Sequence, residues 1–161
     1  MAFRAPMYVS DNLIDLEDTL AKDFIHSDDA INFCWEIPNM CPLGAVAFQR
    51  LFNTTIASMI GQAINKGISM NGDDIMVNDT FIGSDDKKYE QGKVSVSITY
   101  SKDNVALGHT GINIKAGKKA PGFAYSSSLT DAQVNQVMDA VVTAFNLEVK
   151  DQWIATTKII L

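Results

Sequence analysis

The segment from Leu43 to Ile64 constrains the fold more than any other part of the chain, because its pattern fits an α-helix on two sides at once. Between Ile37 and Gly72 the chain has no acidic residue, although 20% of all residues are charged. One stripe at helical spacing is apolar and is expected to lie on the core: it comprises Ala45, Phe48, Phe52, Ile56, Met59 and Ala63.

A second stripe of the same helix consists mainly of small uncharged residues, and we call it the small-residue seam. Its members are Gly44, Ala47, Leu51, Thr54, Ser58 and Gly61. A solvated helix face is ordinarily charged, so we expect another polypeptide surface to cover the seam. The first or last helix of the same chain is one candidate for this cover, and a second protein molecule is the other.

Two more helices and several strands are expected around this central helix. Ser10 begins an amphipathic helix that runs to Phe24, and Thr130 and Gln133 have the spacing of a capping box before a C-terminal helix. Alternating apolar residues predict strands at three places, with the clearest signal in the hairpin: these are 31–37, 74–82, and the hairpin 94–100 with 105–114. For the first of them, a short helix capped by Ser27 is an open alternative.

Two local features of these strands carry further expectations. Gly108 and Gly111 interrupt the alternation of the hairpin's second arm and indicate a bulge or a close approach of backbones. The chain ends in Ile159-Ile160-Leu161, so we expect the tail from Trp153 onward to pair as a strand or to dock on a partner, with Ile159 and Leu161 at the interface.

These elements predict an α+β fold: a mainly antiparallel sheet of about four to five strands, packed with a long central helix and with N-terminal and C-terminal helices. The length of 161 residues suits a single domain over residues 1–161. No apolar run resembles a secretory signal or a membrane span, and the two cysteines, Cys34 and Cys41, suggest no disulfide framework. A cytoplasmic or other reducing compartment and no membrane contact are therefore expected.

Charge is distributed unevenly along the chain. Residues 1–91 hold 14 acidic and 6 basic residues, a net charge of −8, whereas residues 92–161 hold 5 acidic and 7 basic residues, a net charge of +2. The overall net charge of −6 gives no global attraction to nucleic acid, which is not an expected partner. Lys115, Lys118 and Lys119 could touch phosphates, with Tyr100, Phe123 and Tyr125 available for stacking, but a solvated loop is the preferred interpretation.

Candidate catalytic residues are few. Cys41 precedes the long helix, whose N-terminus would favour a thiolate, and His26 or His109 would have to serve as its base. No surrounding motif matches a cysteine hydrolase, so Cys41 and His109 are weak candidates. The spacing of His26, Cys34, Cys41 and His109 is not that of a zinc site, and no metal or other cofactor is expected.

The absence of a catalytic constellation, the seam and the apolar tail together predict a non-enzymatic module for protein–protein interaction or self-association. A first alternative is a small enzyme with a thiol or carboxylate site near the start of the central helix. A second is an acidic inhibitor that meets a basic partner through residues 11–36, where there are eight acidic residues and one lysine.

Overall fold

The computed structural model describes residues 1–9 and 24–158. The predicted N-terminal helix, apart from Phe24, and the tail residues Ile159 and Leu161 lie outside this part of the chain. The described elements, in chain order, are β1 (Ala2–Val9), β2 (Ile25–Pro38), α1 (Pro42–Ile64), β3 (Gly67–Asn71), β4 (Asp74–Asn78), β5 (Phe81–Ile82), β6 (Lys88–Tyr89), β7 (Gly92–Lys93), β8 (Ser95–Lys102), β9 (Val105–Ala116) and α2 (Asp131–Ala155).

The main sheet has four antiparallel strands in the order β1-β2-β9-β8. β9 pairs with β2 from Ala116 back to Val105, and with β8 from Ile112 back to Val105. Smaller sheets join β3, β4 and β7, and pair β5 with β6. The predicted α+β class with an antiparallel sheet of about four strands is confirmed, with two helices in the part of the chain that the structure describes.

Helix α1 packs on the sheet through the predicted apolar stripe. Phe48 and Phe52 stack with ring centroids 6.2 Å apart, and Phe145 of α2 meets both rings edge-on. From the sheet, Phe33 of β2 contacts Phe52 edge-on, and Trp35 of β2 contacts Phe48 edge-on. The two helices therefore share one aromatic core, and the period of the sequence identified the core-facing side of α1 correctly.

One polar cluster is buried between α1 and the sheet. The side chain of Asn53 is fully buried; its Nδ2 donates to the carbonyl oxygen of Asp73 at 2.8 Å, and its Oδ1 accepts a bond from the Thr110 hydroxyl at 2.8 Å. Gln49 donates to the Ser97 hydroxyl at 2.8 Å. Because these groups satisfy one another, the cluster sets the position of α1 along β8 and β9.

Capping explains where both helices begin. Pro42 occupies the first turn of α1, where its missing N–H costs nothing, and the Thr130 and Gln133 side chains form the predicted capping box of α2. Asn65 ends α1 in the left-handed conformation, with φ of 53°. No helix within the described ranges is long and apolar enough to cross a membrane.

The structure corrects three expectations about secondary structure. Residues 25–38 are one strand, so the alternative of a helix capped by Ser27 is wrong. The sequence analysis missed β3, although Ile68 and Met70 alternate with polar residues as expected for a strand. Helix α2 continues to Ala155, so the expected strand from Trp153 is wrong as far as Lys158; the side chains of Trp153 and Ile154 are exposed on the helix.

The glycines of β9 mark close approaches. The β8–β9 register is continuous, so Gly108 and Gly111 make no bulge against β8. Gly108 lies opposite Trp35 on β2, and a Cβ atom at Gly108 would overlap the indole ring; at Gly111 it would overlap Met7. The absence of side chains at these positions leaves room against β9 for Trp35 of β2 and for Met7 of β1.

We predict that Gly108→Ala lowers the free energy of unfolding by about 1–3 kcal/mol, because Trp35 must leave its position in the core. Urea denaturation measures this change. Gly67→Ala is the matched control: its Cβ would meet only the Asn78 side-chain amide, at 3.3 Å, and we expect a change of less than about 0.5 kcal/mol. Equal effects of the two substitutions would contradict the account of Gly108.

Candidate functional site

The small-residue seam of α1 is not covered by the described chain. Ala47, Leu51, Thr54 and Ser58 are exposed, whereas Gly44 and Gly61 are half-buried. Helix α2 packs instead on the aromatic side of α1. The alternative in which the last helix of the chain covers the seam is therefore wrong. The predicted first helix, which lies outside the described residues, and a second protein molecule remain the two candidate covers.

The structure does not bring the candidate catalytic pair together. Cys41 is exposed and caps α1, where its Sγ accepts a hydrogen bond from the Gly44 N–H at 3.4 Å. His109 lies in the middle of the main sheet, with its Nε2 2.9 Å from Asn32 Oδ1. Burial lowers the pKa of His109. Each residue thus has a structural contact of its own, and no described contact joins them.

Other predicted groups are also occupied within the chain. Asp28 and Asp29, which belong to the proposed acidic surface of residues 11–36, pair with Lys115 and Arg4. In the described residues, no three side chains of the His, Cys, Asp and Glu types are arranged to hold a metal ion. Tyr100 is near the β8–β9 turn and pairs with Leu107, away from the lysines beside which it was considered for stacking.

Two neighbouring pockets lie beside the end of β9, and together we call them the β9 cleft. The large pocket has a volume of about 480 Å³, which is within the range of small-molecule sites. Among its lining residues are Asp28, Asp79, Phe81, Lys115, Lys118 and Tyr125. The small pocket, of about 50 Å³, is lined by residues that include His26, Lys93, Ser95, Val96, Asn113 and Phe123. Ala120, Pro121 and Ala124 contribute to both pockets.

The loop after β9 is held in place by backbone contacts. Lys93 forms a short parallel bridge with Ala124: its N–H donates to Phe123 O at 2.9 Å, and its carbonyl accepts from Tyr125 N–H at 2.8 Å. The Gly117 N–H donates to His26 O at 2.8 Å, and a Cβ at Gly117 would overlap the imidazole of His26. The loop residues around the cleft therefore have defined positions.

Hydrogen bonds of Ser126 and Ser127 hold the segment before α2 against β9. The Ser126 hydroxyl accepts a hydrogen bond from the Ala116 N–H at 2.9 Å. The Ser127 N–H and hydroxyl both donate to Asn113 O, at 3.0 and 2.7 Å. These bonds give the serines a positioning role on the approach to α2.

Charged groups of the large pocket are paired to different extents. Lys115 Nζ lies 3.0 Å from Asp28 Oδ2, and this hydrogen bond lowers the pKa of Asp28. Asp79 accepts from the Tyr125 hydroxyl at 2.8 Å and pairs with Lys66 at 3.0 Å, and both contacts lower its pKa. Lys118 is exposed and has no ion-pair partner within the part of the chain that the structure describes. The Lys118 ammonium group is therefore available to a ligand.

The pKa values of three groups in the large pocket are shifted. Burial and the hydrogen bond to Asp79 raise the pKa of Tyr125 to about 12, so its phenol is protonated at neutral pH. Asp28 and Asp79 remain ionised, because their pKa values are lowered. A ligand in this pocket would therefore meet a neutral phenol, two carboxylates and the lysine ammonium groups.

The sequence analysis considered Lys115, Lys118 and Tyr125 for phosphate contact and stacking but preferred a solvated loop, and the structure places these three residues at one pocket. Lys93 and Asn113 were not singled out. No local signal marks Asn113, because Ile112-Asn113-Ile114 is the ordinary apolar–polar alternation of a strand.

Comparisons with known proteins give a family and a fold. The model of a protein family described as a domain of unknown function, DUF366, matches residues 1–160. A solved structure described as a protein of unknown function from Pyrococcus horikoshi is similar, with a TM-score of 0.75 and 22% sequence identity. The similarity covers 99% of this chain and 80% of that chain, and at this identity it shows the fold alone. No curated protein matches the sequence.

Protonation of His109 should make the protein less stable in mild acid. The unfolded histidine has an ordinary pKa of about 6.5, whereas burial lowers the pKa in the folded protein. Below about pH 6.5 the unfolded chain therefore binds a proton that the folded chain does not, and the free energy of unfolding falls. Above about pH 7.5 this contribution is absent.

Urea denaturation between about pH 7.5 and about pH 5.5 tests this prediction, with a slope of at most about 1.4 kcal/mol per pH unit for one proton. His109→Gln keeps a polar partner for Asn32 and should reduce the slope. An unchanged slope in this variant would contradict the assignment of the pH dependence to His109.

Proposed function

We propose that this chain, which belongs to the DUF366 family, binds a small anionic molecule in the β9 cleft. The observation that carries the proposal is the large pocket of about 480 Å³ with Lys115 and Lys118 in its wall. Small-molecule sites combine a concave surface with a few converging polar groups, and this pocket has both. A phosphate or carboxylate group on the ligand is the chemical feature that the lysines would recognise.

The distribution of charge supports an anionic ligand. The chain as a whole is acidic, yet Lys115 and Lys118 both line the large pocket. The negative charge of Asp79 is offset by Lys66, and its second oxygen is occupied by the Tyr125 hydroxyl. An entering anion would therefore meet ammonium groups with little opposition from Asp79, and it would compete with Asp28 for Lys115.

Apolar side chains beside the lysines would bind the rest of the ligand. Phe81 and Tyr125 are both half-buried at the large pocket, and their rings meet edge-on with centroids 5.3 Å apart. Pro121 and Ala124 add further apolar surface. A molecule with an anionic group and an apolar body suits these walls better than a bare inorganic ion.

A direct test uses inorganic pyrophosphate as the probe in isothermal titration calorimetry. Lys115→Ala combined with Lys118→Ala should weaken binding about tenfold or more, because hydrogen bonds to charged groups contribute about 1.5–3 kcal/mol each. Added salt should weaken binding to the unchanged protein.

The matched control replaces Lys150 and Lys158, which are exposed on and just after α2, and it changes the net charge equally. Binding to the control variant should equal binding to the unchanged protein. Equal loss of affinity in both double variants would mean that pyrophosphate responds only to net charge, and the proposed site would be wrong.

A second candidate function is self-association through the seam of α1, and the exposed apolar residues next to it favour this. Leu43, Val46 and Leu51 are 78%, 39% and 42% exposed. Ala47 and Ser58 leave room for the backbone of a second copy to approach closely. Exposed apolar surface of this kind on a helix is typical of protein interfaces. The predicted role as an interaction module therefore remains a proposal beside ligand binding.

The mass in solution tests this second function, measured by light scattering after size exclusion. We expect a dimer for the unchanged protein and a monomer for Ala47→Arg, because burying an unpaired charge in an interface is costly. Gln136→Arg places the same charge on an exposed site of α2 and should leave the dimer intact. A monomer for the unchanged protein at every concentration would rule out self-association.

A further inference from the structure

The small pocket of the β9 cleft contains an unsatisfied hydrogen-bond acceptor. Asn113 lines this pocket and is only 4% exposed, and its Oδ1 is buried with no hydrogen-bond partner. The backbone of the same residue is fully engaged: its N–H donates to Val94 O, and its carbonyl accepts from Ser127. In the described structure, the side-chain Oδ1 is therefore the acceptor of this residue that lacks a partner.

Packing alone does not account for an asparagine at this position. A buried acceptor without a partner is unfavourable, and buried polar groups are nearly always hydrogen-bonded. Ile112 and Ile114 point to the opposite face of the sheet from Asn113, so the core that they fill places no demand on this side chain. The asparagine amide is explained if a molecule bound in the pocket supplies a donor.

The surroundings of Asn113 define the chemistry of that donor. Lys93 Nζ pairs with Asp74 Oδ1 at 2.7 Å, so the positive charge nearest the small pocket is already neutralised. Val96, Pro121 and Phe123 give the pocket apolar walls. A cavity of about 50 Å³ has room for about four water molecules, because one water molecule needs roughly 10–15 Å³ of cavity volume. A compact, uncharged and partly apolar group with an N–H donor fits these conditions.

We propose that the small pocket binds the uncharged end of the ligand, through a hydrogen bond from an amide or ring N–H to the side chain of Asn113. This inference rests on the proposed function, because it assigns the second end of the same molecule. Ala120, Pro121 and Ala124 border both pockets, so the uncharged group and the anionic group bind on adjoining surfaces. The ligand class is a small molecule with an anionic group at one end and an uncharged amide or N–H heterocycle at the other.

Two probes of nearly the same shape test the hydrogen bond: benzamide, which carries N–H donors, and methyl benzoate, which carries none. Each is titrated into isotopically labelled protein, and amide chemical shifts near Asn113 and Val96 are followed. We expect benzamide to bind about fivefold more tightly than methyl benzoate, which corresponds to one net hydrogen bond of about 1 kcal/mol. Equal affinities, or shifts confined to residues away from the small pocket, would overturn the proposal.

Substitution of Asn113 separates recognition from a merely structural role. Asn113→Leu keeps the approximate volume and removes the acceptor, so the ratio of the two affinities should fall to about one. If the leucine variant does not fold, Asn113→Val takes its place; it also removes the acceptor, and the same loss of preference is expected. Asn135→Leu on the exposed side of α2 is the control and should keep the fivefold ratio. A preference for benzamide that survives in both Asn113 variants would contradict the assignment.

Pyrophosphate binding in the same samples distinguishes the two proposals. If pyrophosphate binds and benzamide shows no preference, the anion site stands and the role of Asn113 is wrong. If benzamide is preferred and pyrophosphate does not bind, the role of Asn113 stands and the anionic end of the ligand is wrong. If neither result is obtained, both proposals are wrong.

Discussion

Strand β9 is paired along both of its edges, and the rest of the described structure depends on this pairing. Its ladder with β2 spans nearly the whole strand, and its ladder with β8 is continuous. A shift of one residue would turn every side chain of β9 to the other face, so the core fixes its register. Beyond Ile112 the strand pairs with β2 alone, and the register shifts there between Asp29 and Ala30. This end of β9 carries Asn113 to the small pocket and Lys115 to the large pocket. Packing and site geometry thus depend on the same strand.

Features encoded locally could be predicted from the sequence. The long helix was expected over Leu43–Ile64 and is found over Pro42–Ile64, because a helical period and a proline at its start are local signals. The capping box of α2 was likewise read correctly. The end of α2 was not, because Ile159-Ile160-Leu161 suggested a strand, whereas the helix continues through Trp153 to Ala155. Such endings depend on competition between neighbouring segments, which a pattern of apolar residues does not resolve.

The candidate site was less predictable, because it is made by contacts between distant segments. The sequence analysis noted Lys115, Lys118 and Lys119. The contact of their loop with Lys93 depends on the bridge between Lys93 and Ala124, which no local spacing indicates. The seam of α1 shows the opposite difficulty: its pattern identified a distinct face but not what would lie against it, and Ala47 and Ser58 are exposed in the described chain. A periodic pattern specifies a face, and only tertiary structure specifies its cover.

The central claim is that the cleft beside β9 binds an anionic molecule through its lysines. A crystal structure of the protein soaked in inorganic pyrophosphate tests this claim most directly. The account predicts density for the anion in the large pocket, within hydrogen-bond distance of Lys118 Nζ and with Lys115 turned from Asp28 toward the anion. Density for the anion only at other surface lysines, with the Lys115–Asp28 pair unchanged, would contradict it.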